Sequence, residues 1–227
     1  MTLFNSFSYL LPFLGSLIGM VIAFYVRPKT PTSLKLILAF SGAFLLGITL
    51  FHLMPEVFNH PERPVGRWIG VGLSLQILLE YLSQGAEHGH SHLKSDQKFP
   101  LFLFLSLCIH AFVEGLPLSQ QPELVWGIFI HKIPIGMVLF FIIWNSRSST
   151  INKLFYFFLF ALMSPIGGFV FLNFKTLINW QLPITSIVIG MLLHISTTIL
   201  FESNQGHTFN FTKFITILTA LGISYIL

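Results

Sequence analysis

Two short strings carry ionisable side chains through otherwise apolar sequence: HAFVEG at 110–115 and HKIPIG at 131–136. Ionisable groups at bilayer depth cost a few kcal/mol or more each, so they are rarely idle there. His110 and Glu114 are four residues apart, which puts them on one face of a helix. His131 lies in the next apolar run. Imidazole and carboxylate donors together suit zinc and neighbouring first-row divalent ions, whereas all-oxygen sets suit calcium or magnesium. His110, Glu114 and His131 would supply two nitrogens and one or two oxygens. Water or a further residue completes the shell, and Ser106, one turn before His110, is a weaker candidate. An incomplete shell suits an ion that must also leave. Lys132 is read in two ways: as the ion-pair partner of Glu114 or of a neighbouring span, or as a charge in the place of a second cation.

The chain around these strings is that of an integral membrane protein. It has 227 residues, of which 54% are apolar and only 9% charged, and its mean hydropathy is +0.79. Soluble domains carry roughly 25% charged residues. The net charge of +4 would point to nucleic acid in a soluble chain. Here the basic residues sit mostly between apolar runs, where they set topology. The single cysteine, Cys108, excludes an intramolecular disulfide and a CxxC site. No basic region precedes the first apolar run, so that run is expected to be a retained span rather than a signal peptide.

Apolar runs near spanning length fall at about 7–26, 34–54, 66–83, 99–118, 124–144, 153–173, 183–201 and 210–227, eight in all within one membrane domain. The third is interrupted by Arg67, Gln76 and Glu80, and the eighth is short. The loops after spans one, three, five and seven hold Arg27, Lys29, Lys35, Lys94, Lys98, Arg147, Lys153 and Lys213. Those after spans two, four and six hold only Arg63, Arg67 and Lys175. The positive-inside rule then places both termini outside and the polar stretch 84–98 in the cytoplasm. The turn between spans four and five centres near Gln121. At 1.5 Å per residue, His110 and His131 each lie roughly 15 Å from it, near the membrane midplane. A short-looped antiparallel pair is expected to bring the two imidazoles to the same depth. Three spans before this pair and three after suggest an inverted repeat around a midplane site.

The remaining polar residues read less sharply. Pro134 and Pro165 each remove a helix hydrogen bond, which frees the carbonyls of Ile130 and Ala161 to face a polar cavity or simply to sit at a kink. His88, His90 and His92 alternate in the cytoplasmic loop and can chelate metal loosely or be part of a solvated linker. His52 and Glu202 close their spans and read as interfacial residues. For His194, inside span seven, glue between helices and a place on the ion pathway stay equally open. The 26 phenylalanines read most simply as lipid-facing bulk.

These residues resemble the ZIP family of divalent metal transporters along nearly the whole chain. GAFLLGITLFHLMPE resembles the family's second helix with its His-Leu-x-Pro-Glu ending; HAFVEG resembles the fourth, HKIPIG the fifth and SPIGG at 164–168 the sixth. The resemblance implies an eight-helix, 3+2+3 inverted-repeat fold. It also implies uptake of zinc, or of iron, manganese or cadmium, as substrate rather than cofactor. Helices one, four, five and six would slide against two, three, seven and eight in an elevator-like motion. The family's primary metal site maps to His110, Glu114 and His131, with Ile135 where a fourth ligand usually stands. Its second site maps to Ala111, Lys132 and Ser164, none of which preserves the usual ligands. That departure resembles a branch with HK in the fifth helix and one metal site, in which Lys132 substitutes for the second ion's charge.

The expected function is therefore transport, not catalysis, through a cell-membrane protein. The lipid bilayer, divalent ions and a second copy of the chain in a homodimer are the expected partners, with no role for nucleic acid. No Walker A sequence is present, so ATP is not the driver. Two other readings compete. A metal sensor or non-transporting relative draws on Ile135. A membrane-embedded zinc hydrolase lacks HExxH and would place Lys132 awkwardly beside a catalytic base.

Overall fold

A computed structural model describes residues 8–25, 31–60, 63–83, 99–202 and 211–227, and among them it is helical, without strands. A 3-10 turn at Ser8–Leu10 leads into α1, Leu11–Tyr25. Helix α2 begins as Pro31–Ile48 and runs on through a π-helical turn at Thr49–Leu53 into Met54–Phe58. Then come α3 (Val65–Ser83), α4 (Leu101–Gly115, ending in a 3-10 turn at Leu116–Ser119) and α5 (Pro122–Trp144). Helix α6 is Thr150–Asn173, α7 is Gln181–Glu202 and α8 is Phe211–Ile226. The loop histidines His88, His90 and His92 and the side chain of Glu202 lie outside the described residues.

Local sequence explains several of these boundaries. Pro122 opens α5 in the first turn, where a missing N–H costs nothing, and Glu123 there complements the helix dipole. Ser149 caps α6 by accepting from the Asn152 N–H at 3.4 Å. The π turn of α2 directly precedes Pro55, which has no N–H to continue the ladder. The Met54 N–H reaches back five residues to the Thr49 carbonyl instead. Helices α5 and α6 both continue through their internal prolines, Pro134 and Pro165.

Six described helical stretches are long and apolar enough to cross a membrane: Ser8–Tyr25, Leu34–Phe58, Leu101–Ser119, Pro122–Trp144, Thr150–Asn173 and Gln181–Phe201. The expected third and eighth spans are helices too. Phe211–Ile226 is apolar but short, and α3 carries Arg67, Gln76 and Glu80. The phenylalanines divide. Phe102, Phe155 and Phe169 are exposed on the apolar outside, whereas Phe44, Phe157, Phe160 and Phe171 are fully buried, so lipid-facing bulk describes only part of them.

The helices pack most closely in four pairs: α1 with α5, α4 with α6, α3 with α7 and α2 with α8. Exchanging α1 with α6, α2 with α7, α3 with α8 and α4 with α5 maps these pairs onto one another, which is the pairing an inverted repeat generates. Helix α6 also packs on α1 and α5, and α2 on α7. The result is one bundle of α1, α4, α5 and α6 and another of α2, α3, α7 and α8. The two bundles meet mainly where α2 touches α5 and α3 touches α4.

The direct antiparallel pairing expected of spans four and five is corrected by this arrangement. Helices α4 and α5 make little contact with each other, because each is drawn to another partner. Close approach of backbones directs the choice. A Cβ at Gly136 of α5 would fall on the Ser16 backbone of α1, and one at Gly115 of α4 on the Ser164 backbone of α6. Small residues at such contacts let membrane helices approach and gain dispersion contact.

Candidate metal site

Glu114 sits at the meeting point of three helices of the first bundle and is fully buried. Its Oε1 accepts from the Ser164 hydroxyl of α6 at 3.1 Å and pairs with the Lys132 ammonium of α5. Its Oε2 lies 3.1 Å from His110 Nε2, one turn earlier on α4. Lys132 is itself buried and stands 4.6 Å from the centre of the Phe160 ring, a cation–π contact. A carboxylate and an ammonium removed from water tolerate burial only when paired and hydrogen-bonded. Both conditions are met here.

The Nδ1 atoms of the two imidazoles face the other bundle. His110 Nδ1 lies 3.0 Å from Gln76 Oε1 of α3. His131 Nδ1 lies 3.2 Å from Ser41 Oγ of α2. The structure thus brings His110, Glu114, Lys132 and Ser164 into contact, with His131 beside Lys132 in the chain and its ring turned onto α2. Among the described residues, no three His, Cys, Asp or Glu side chains form a ready metal cage. Ser106 is buried but gives its hydroxyl proton to the Leu103 carbonyl of its own helix at 3.0 Å. Ala111 and Ile135 lie in an apolar cluster with Phe157 and Phe160 and offer no ligand.

His194 of α7 pairs with Glu80 of α3, a contact that joins the two helices. His52 Nε2 lies 2.7 Å from the Ser224 carbonyl and ties α2 to α8. Glu56 accepts from the Gln121 side chain at 2.8 Å, across the gap between the two bundles. Gln76 and Ser41 adjoin the candidate ligands without belonging to a sequence motif. The only signal for Gln76 is that an uncharged polar group interrupts an apolar run. Ser41 carries no signal, since small residues are common in such helices.

A buried carboxylate and an imidazole one turn away are donor types that suit a divalent ion. Against known families, the chain matches the model of the ZIP zinc transporter family over residues 79–227. No curated protein matches it.

Proposed function

The chain belongs to the ZIP zinc transporter family, whose members move divalent metal ions across membranes, and on that footing we propose that its cargo is zinc, carried into the cytoplasm through His110, Glu114 and His131. The observation that carries this reading is the Glu114 carboxylate, buried among His110, Lys132 and Ser164. Lys132 takes the place of the second cation that relatives hold beside the first, and holds Glu114 in position. The division into two bundles supports an elevator-type motion of α1, α4, α5 and α6 against the rest. Both termini lie outside and residues 84–98 in the cytoplasm, as the basic residues indicate.

A second reading, a metal-sensing relative that does not transport, is favoured by Ile135 and by the lack of a three-ligand cage among the described residues. Proteoliposomes holding a zinc-responsive dye separate the two. Transport predicts uptake above that of empty liposomes, and sensing predicts zinc binding without uptake. In the same vesicles, a competition series with iron, manganese and cadmium ranks the cargo. Replacing His88, His90 and His92 with alanine alters rate or regulation and leaves uptake in place.

A further inference from the structure

The partners of the candidate ligands divide by bundle. Glu114 is held within its own bundle by Ser164 of α6 and Lys132 of α5, with His110 Nε2 of α4 3.1 Å from its Oε2. The imidazoles are held from the opposite bundle, His110 by Gln76 of α3 and His131 by Ser41 of α2. Both supporting side chains are buried, Gln76 at 0% and Ser41 at 1% exposure, so water does not replace them. A carboxamide oxygen can only accept, so Gln76 takes the Nδ1 proton of His110. That leaves Nε2 as the electron-pair donor on the Glu114 side. Histidine ligands of metals are regularly fixed this way, by a bond at the ring nitrogen that does not bind.

Resting on the transport reading above, we infer that Gln76 and Ser41 are positioning residues of the metal site, and that they act in one arrangement of the two bundles only. They set the tautomer and aim of His110 and His131 while α4 lies against α3 and α5 against α2. When the bundles slide, Glu114 keeps Ser164 and Lys132, whereas His110 loses Gln76 and His131 loses Ser41. The ion is then held less firmly on one side of the cycle than on the other, which favours release there.

The test is zinc uptake into proteoliposomes with KM and kcat read separately. Gln76→Leu removes the acceptor and is expected to raise KM about 10-fold or more, the usual scale for losing such a support. The kcat is expected to be held or increased, because a bond that must break during sliding is gone. Gln76→Glu keeps an acceptor and restores KM to near wild type. Ser41→Ala is expected to raise KM and Ser41→Thr to restore it. Ser41→Ala removes one oxygen only, so it carries the test if Gln76→Leu does not fold. A lower melting temperature with wild-type KM in the alanine or leucine variants would mark both residues as packing and overturn the inference. Absence of uptake by folded wild-type protein would instead sink the transport reading itself. Wild-type uptake that needs His110 but ignores Gln76 and Ser41 sinks this inference alone.

Discussion

Glu114 and Lys132 form a buried ion pair whose two members are unequal in consequence. Removing one partner of such a pair leaves an uncompensated charge and costs about 3–5 kcal/mol, whereas removing both can be nearly neutral. Lys132→Met is therefore expected to lower the melting temperature of the metal-free protein, and Lys132→Met with Glu114→Gln to recover part of the loss. Zinc supplies the missing positive charge, so it should raise the melting temperature of Lys132→Met more than that of wild type. Equal melting temperatures and equal zinc responses would show that Lys132 does not stand in for an ion. The His110–Glu114 contact was legible because four-residue spacing is a local property of a helix. The Lys132 ion pair was one of two readings from sequence, and the structure has it. Gln76 and Ser41 could not be read as supports, because their roles depend on which helices become neighbours.

Helices α4 and α5 show where local reasoning about elements stops. Their short connection predicts a hairpin, yet α4 packs on α6 and α5 on α1. The choice rests on glycines whose partners are distant in the chain, such as Gly136 against Ser16 and Gly115 against Ser164. No periodicity within α4 or α5 reports them. The long apolar helices were legible by length and composition, and α3 was the least certain because Arg67, Gln76 and Glu80 break its run. Two of those three residues turn out to bind other helices, Gln76 to α4 and Glu80 to α7. Gly136→Leu is expected to force α1 and α5 apart and to cost about 1–3 kcal/mol or more, seen as reduced thermal stability in detergent. Gly66, which has open space around it, serves as the control: Gly66→Ala should leave the melting temperature within about 1 °C, since a surface change is worth roughly 0.5 kcal/mol or less.

The molecule as a whole is two bundles that meet along α2–α5 and α3–α4, and transport by sliding requires those contacts to change. The Glu56–Gln121 hydrogen bond crosses that boundary. Replacing both residues with cysteine and joining them with a short, cleavable thiol cross-linker should stop uptake, and cleavage should restore it. Full uptake by fully cross-linked protein would contradict a sliding motion. The family and the helical membrane architecture were legible from short motifs and from apolar runs. The division into bundles was implied by the resemblance alone, since it depends on pairings between helices far apart in sequence. The central claim is that zinc crosses at Glu114, and the most direct measurement is zinc uptake by proteoliposomes holding wild type or Glu114→Gln. The exchange keeps the side chain's shape and removes its charge. Wild type should load the vesicles well above empty liposomes, and Glu114→Gln, folded and inserted to the same extent, should fall at least about 10-fold, the scale of about 1.4 kcal/mol of lost metal binding. Wild-type uptake by Glu114→Gln would contradict the account.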